Sequence, residues 1–400
     1  MFDVEKVRAS FPALQVTDGG RPRIYLDAPG GTQVCERAVE RMVSYIRNGT
    51  ANDGGAFATS IATDALSTEA HAAMARFLGG ADGEIAFGPN MTSLTFALSR
   101  SLAARFAPGD EIVVTRLDHD ANVAPWLRVA EDRGLTVRWI DFDPDSGRLR
   151  LDALDRILSE RTALVAVGHA SNALGTINDV AAVARAAKDA NPKALVYVDA
   201  VQSVPHLPVD VTALGCDVAV CSPYKFFGPH QGVLWGREAL LAELPAYKVR
   251  PSPTTPPAAK WETGTPSYEG QAGTLGALEH IEHLGGMATI AAYERDLAER
   301  LLDGLLAIPG LRLWGTPTMD GRVPTFAFTL AGVHPRTVAE RLAAANIFVW
   351  SGSFYAVEVL NRLGLAESGG LVRVGLCHYN TAQEIDRTLE EIEKIARESR

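Results

Sequence analysis

The reading of this chain turns on ALVYVDAVQSV (194–204) and, shortly after it, DVAVCSPYKFFGPHQGVLWG (217–236). Three short apolar runs lie in these segments, rich in Val and aromatic residues. Asp199 closes the first run, and Lys225 follows the second. Near-continuous apolar runs of this length are what strands buried on both faces look like. Working outward, EIAF (84–87), EIVVT (111–115), TVRWI (136–140) and ALVAVGH (163–169) have the same character, and amphipathic stretches such as DVAAVARAAKDA (179–190) separate most of them. Strands alternating with helices predict an α/β fold whose central sheet is mainly parallel and covered by helices on both faces. Ligands of such sheets bind beyond the carboxyl ends of the strands.

Downstream, RPSPTTPP (250–257) is too rich in proline for a helix interior or a central strand and reads as loop. Residues 276–308 read as helical. The remainder predicts a small α+β unit with strands near TFAFTL (325–330) and FVW (348–350), a helix over 337–345, a strand LVRVGL (371–376) and a last helix from Ala382. The expected division is a large domain over 15–284 and a smaller one over 285–400, joined by residues 1–14.

Bulk properties narrow the function classes. A chain of 400 residues with 47% hydrophobic and 22% charged residues can bury a sizeable core. Its net charge is −10 and its basic residues do not cluster, which argues against a nucleic-acid or anionic-membrane surface. No apolar run reaches the roughly 18 residues of a spanning helix, and MFDVEKVRAS (1–10) carries acidic residues and no apolar leader core, so a cytoplasmic protein is expected. The four cysteines, Cys35, Cys216, Cys221 and Cys377, form no CxxC pair. They predict small buried hydrophobes, with neither a metal site nor a disulfide framework.

Asp199 and Lys225, each at the end of a strand, are expected to face one cleft. A lysine among aromatics, as in YKFFGPH (224–230), has no evident structural need. An amine to capture an aldehyde and move a proton, with a carboxylate to keep a pyridine nitrogen protonated, is what pyridoxal phosphate (PLP) requires. The turn GPNMTS (88–93) opens a helix, where backbone N–H groups and the dipole favour an anion, although Asn90 there also suits a plain cap. Asn172 could form an Asx turn, and His119 in LDHDAN is by itself an unremarkable loop histidine. Arg373 inside an apolar strand is costly unless something pairs with it.

Taken in order, YLDAPGGT (25–32), EIAFGPNMTS (84–93), TRLDHDANVAPW (115–126), HASNALGTI (169–177), VDAVQSV (198–204), SPYKFFGPHQGVLWG (222–236), ETGTP (262–266) and RVGLCHYNT (373–381) resemble the cysteine desulfurase branch of the class V aminotransferase superfamily. Those are PLP-dependent enzymes of fold type I. The resemblance implies that Lys225 bonds the cofactor aldehyde, that Asp199 faces the ring nitrogen, that Gln202 lies beside the phenolic oxygen and that His119 stacks on the ring. It places Asn90, Met91, Ser222 and Tyr224 at the phosphate, Tyr224 standing where many relatives carry histidine. Asn172 falls at the cofactor oxygen and the substrate carboxylate, and Arg373 at that carboxylate. Thr265 would reach the phosphate of a neighbouring subunit, which implies a homodimer with shared active sites.

One departure bears on the reaction. Desulfurases of this branch carry a loop cysteine that takes sulfur from the substrate, and the corresponding stretch here is FVWSGSFYAVEVL (348–360), with Tyr355 at that place. No cysteine lies from Ser222 to Leu376, and Trp350 replaces an arginine expected near the substrate. A phenol cannot form a persulfide. The expected activity is therefore cleavage at the β-carbon of an amino acid, a C–S lyase type of reaction with Tyr355 or His119 as acid. Transamination by the same residues is the alternative, and a noncatalytic scaffold is the alternative of another class.

Overall fold

The computed structural model describes residues 2–398. The main sheet has seven strands: β1 (Ile85–Gly88), β2 (Glu111–Thr115), β3 (Thr136–Ile140), β4 (Thr162–Gly168), β5 (Leu195–Asp199), β6 (Val218–Cys221) and β7 (Gly232–Gly236). These are the apolar runs picked out above. Their order in space is β1-β7-β6-β5-β4-β2-β3, parallel from β6 through β3, with β7 antiparallel to both of its neighbours. The mixed α/β architecture with a mostly parallel central sheet is thus as expected.

Most of the runs lack polar alternation because both faces of the sheet are covered there; at the edge, β3 alternates and leaves Thr136 and Arg138 exposed. In β4, Leu164 and Ala166 belong to one core while Val165 and Val167 belong to the other; in β5, Leu195 and Tyr197 oppose Val196 and Val198 in the same way. The helix Val180–Ala190 shows how one cover is built: the Asp179 side chain caps it by accepting from the Ala182 N–H, and Val180, Val183, Ala184 and Ala187 are buried along one stripe.

After β2 the chain moves outward to β3, then returns to β4 on the other side of β2. The segments leaving β2 and β4 therefore diverge, opening a crevice at the carboxyl edge of the sheet, where such folds hold ligands. The segments carrying Asp118, His119, Ala170 and Asn172 border it.

A second sheet, antiparallel in the order β8-β9-β11-β10, comprises β8 (Leu311–Trp314), β9 (Thr325–Leu330), β10 (Trp350–Gly352) and β11 (Leu371–Gly375). Phe326, Phe328, Val372 and Val374 pack against Leu297, Leu301, Ile392 and Ile395 of the helices Met287–Ala307 and Ala382–Glu398.

Several local expectations change. The stretch 276–308 is two helices, Tyr268–His283 and Met287–Ala307, because Gly285 and Gly286 take φ of +90° and +84°, a region that side chains avoid. FVW is divided: Ile347–Phe348 pairs in parallel with Ile24–Tyr25, whereas Trp350 belongs to β10. The strand β8 had no counterpart in the sequence reading. The proline-rich loop ends where Pro257 opens a short 3-10 turn, Pro257–Trp261. Among the described residues no helix is long and apolar enough to cross a membrane.

The N-terminal segment ties the two sheets together. Beyond the Ile24–Tyr25 pairing, Asp27 bridges to Gly375 at the end of β11, and this threads YLDAPGG between the sheets and brings Pro29 to the crevice.

Candidate active site

A cavity of about 570 Å³ occupies the crevice. Asn90, Met91, His119, Asn172, Asp199, Gln202, Ser222, Tyr224, Lys225, Tyr355 and Arg373 all line it. Thr265 does not; it is exposed on the segment between the 3-10 turn Pro257–Trp261 and the helix Tyr268–His283.

Asp199 is the last residue of β5, in register with Val220 of β6. From β6 the chain passes through Ser222 into the short turn Pro223–Lys225, which swings the lysine back over the sheet edge. Lys225 is only 7% exposed, and its Nζ donates to the Pro29 carbonyl at 2.5 Å. The same carbonyl accepts from Gln202 Nε2 at 2.8 Å. A segment 196 positions from Lys225 and 173 from Gln202 thus orients both.

The site's electrostatics follow from burial. Burial and then the neighbouring Arg373 cation bring the Lys225 amine down to about 7. Burial raises the Asp199 carboxyl to about 6, against the Val201 N–H that donates to its Oδ1 at 2.9 Å and against the charge of Lys225. The His119 ring falls to about 4, first through burial and then through Lys225 and Arg373. Its Nδ1 accepts from the Ala121 N–H at 3.0 Å, which makes it a neutral ring at pH 7.

Arg373 is carried by β11, 4% exposed, with its guanidinium 4.2 Å from the centre of the Phe354 ring. Its Nη1 donates to the Asn172 carbonyl at 2.8 Å, and its Nε is buried without a partner. Burial lowers this group to about 9. Asn172 in turn donates from Nδ2 to the Phe354 carbonyl at 2.8 Å and leaves Oδ1 buried and unpartnered. Buried polar atoms without partners cost stability unless a ligand satisfies them.

At the other end of the cavity the helix Met91–Ala103 begins. The Asn90 side chain accepts from the Ser93 N–H at 2.8 Å as its cap, and the Met91 N–H reaches Ser222 Oγ at 3.3 Å. The Tyr224 ring stacks on His230 with centroids 4.8 Å apart. The first turn of the helix, Ser222 and Tyr224 therefore gather donors in one place, suited to an anion.

Sequence reading missed several contributors. Asp118 is buried beneath the crevice, accepting from Thr115 Oγ1, Asn122 Nδ2 and the Gly168 N–H at 2.7, 2.7 and 3.0 Å, and so fastens the loop that carries His119 to the end of β4. Its place in LDHDAN was a visible signal. Pro29 carried no signal of its own. Asp27, with Oδ1 buried and unpartnered, feels both Arg373 and Lys225, yet burial still holds it up at about 6.

The chain matches the class-V aminotransferase family over residues 24–388, and it belongs to that family. It is accordingly a PLP-dependent enzyme of the cysteine desulfurase and class V aminotransferase type. It is 34% identical over 411 residues to a probable cysteine desulfurase of Mycolicibacterium paratuberculosis, covering 99% of this chain and 58% of that longer protein. It is 32% identical to an aminotransferase-like protein of Gibberella zeae, with 98% of each chain covered. The cysteine desulfurase of Thermococcus onnurineus has the same fold, with a TM-score of 0.91 at 29% identity and 98% of each chain covered.

Proposed function

We propose that this chain is a lyase that breaks a bond at the β-carbon of an amino acid and does not form a persulfide. The observation that carries this reading is the thiol inventory around the cavity. All four cysteines are buried, none lines the cavity, and Tyr355, 72% exposed, stands over His119 with ring centroids 5.6 Å apart.

The residues present suit PLP. Lys225 offers an amine that is largely neutral just above pH 7, Asp199 a buried carboxylate, Asn172 and Arg373 unsatisfied polar atoms, and the Met91–Ala103 terminus with Ser222 and Tyr224 an anion cradle. When bound, the cofactor supplies a ring that accepts the electron pair left at the substrate α-carbon. Asp199 would hold a proton on the ring nitrogen, Gln202 would attend the phenolic oxygen and neutral His119 would cover the ring face. Asn90 and Met91 contribute to the phosphate cradle, and Thr265 completes the cradle of a second subunit in a homodimer.

Arg373 grips the α-carboxylate with its planar fork, beside Asn172. Lys225 Nζ takes the α-proton. The α-carbon electron pair becomes the Cα–Cβ double bond, and the bond from Cβ to the leaving group breaks. His119 is neutral near pH 7 and a poor acid, so the Tyr355 hydroxyl provides the leaving group's proton. One water is consumed, and the net products for an S-substituted cysteine are pyruvate, ammonium and the free thiol.

Incubating the holoenzyme with S-substituted cysteines and assaying pyruvate and ammonium tests the reading. Stoichiometric release of both is expected; conversion of the cofactor to its amine form, with a keto acid and no free thiol, would instead establish transamination. A second expectation concerns pH. Protonated Lys225 cannot attack an aldehyde, so the rate at which the cofactor-free protein captures PLP should climb as pH rises through about 7 and then level off. A stopped-flow series that is flat or falling across that range contradicts the assignment.

A further inference from the structure

The mouth of the cavity is aromatic, and its construction indicates what the substrate carries beyond the β-carbon. Trp350 on β10 lies directly opposite Arg373 on β11 in the antiparallel register, so both side chains leave the sheet on the same face. The indole rests against bare backbone at Gly30, where an added Cβ would sit 2.3 Å from Trp350 Nε1; any larger residue there would push the ring away. Although braced in this way, Trp350 is 51% exposed at the cavity rim.

Phe354 and Tyr355, which also line the cavity, both take φ of +56°, a left-handed backbone that bulky residues rarely adopt and that concentrates in function-bearing loops. Three hydrogen bonds hold them there: Asn172 Nδ2 to the Phe354 carbonyl at 2.8 Å, the Asp120 N–H to the Tyr355 carbonyl at 2.7 Å, and the Ala356 N–H to the Ser353 carbonyl at 2.9 Å. The loop therefore presents its phenol to the opening instead of burying it. Among the described residues Arg373 is the one arginine in the cavity lining, and the other charges there are Lys225, Asp118 and Asp199. Lys225, assigned to the cofactor, is the one other cation of the lining among the described residues, which leaves none free for a side-chain carboxylate.

We infer that Trp350 and Tyr355 form a specificity clamp selecting amino acids whose side chain bears a flat, uncharged ring beyond the β-carbon. The inference rests on the reading above only in placing the α-carboxylate at Arg373. Anchored there, a substrate that extends its side chain to the rim meets aromatic side chains that reward planar π-systems over saturated bulk.

The test titrates the visible absorption band of the holoenzyme with S-phenylcysteine, S-cyclohexylcysteine and aspartate, while a parallel assay follows pyruvate. S-phenylcysteine should bind about tenfold more tightly than its saturated counterpart, as stacking on two rings allows, and aspartate more weakly than either. Trp350→Ala should shrink the phenyl preference to about twofold or less, and Trp350→Phe should keep most of it. Equal binding of the phenyl and cyclohexyl compounds to the native enzyme, or an undiminished preference in Trp350→Ala, overturns the clamp. Pyruvate release without a binding preference would uphold the lyase and sink the clamp; a binding preference without pyruvate would do the reverse.

Discussion

Replacing Lys225 by alanine is expected to lower turnover by about four orders of magnitude and to remove the protein's covalent hold on its cofactor. Among the described residues no other amine lines the cavity, so no neighbour there can take over the α-proton. The fold should survive. The Lys225 amine is buried at a cost in desolvation and makes one hydrogen bond, to the Pro29 carbonyl, which Gln202 also serves. Two measurements separate loss of chemistry from loss of structure. The visible band of purified protein should become dialysable with the cofactor, while the thermal transition should stay within a few degrees of the native one. A variant that retains the band through dialysis, or that still turns over at a tenth of the native rate, would falsify the assignment.

Arg373→Ala carries the second-largest expected effect. Charge-assisted hydrogen bonds to a carboxylate contribute about 1.5–3 kcal/mol each, so KM for any amino-acid substrate should rise about 100-fold. Lysine at this place should restore little, because a point charge cannot reproduce a planar fork whose other nitrogen is committed to the Asn172 carbonyl at 2.8 Å. A second readout distinguishes substrate binding from a merely structural role. Arg373 helps hold the Lys225 amine down, so its removal should raise that pKa and move the rise in cofactor-capture rate above the native position near pH 7. An unchanged pH profile together with an unchanged KM would show that Arg373 serves neither function.

Much of the fold was legible locally. Apart from the edge strand β3, the strands of the main sheet are buried on both faces, and that double burial is written into contiguous residues such as EIVVT and LVYV. Where the reading faltered, the deciding information was short or remote. β8 has only Leu311–Trp314, with Arg312 exposed, too brief for a pattern. The break between the helices Tyr268–His283 and Met287–Ala307 rests on the left-handed backbone of two adjacent glycines, which hydrophobic periodicity does not record.

The same contrast holds at the site. Asp199 and Lys225 could be paired from sequence because one closes its strand, the other follows the next, and the alternating pattern makes those strands neighbours pointing the same way. The Pro29 carbonyl on Lys225, the Trp350–Arg373 cross-strand pair and the Asn172 bond to the Phe354 carbonyl join residues far apart in the chain. Periodicity records whether a residue is covered, since burial acts on each residue separately. It does not record which distant segment covers it, and the proton affinities of Lys225, Asp199 and His119 depend on that covering. By itself, then, the sequence determined the layered α/β sheet and the residue types at its carboxyl edge. The tertiary structure alone decided their charge states and the aromatic rim, because desolvation and through-space charge arise only when those segments meet.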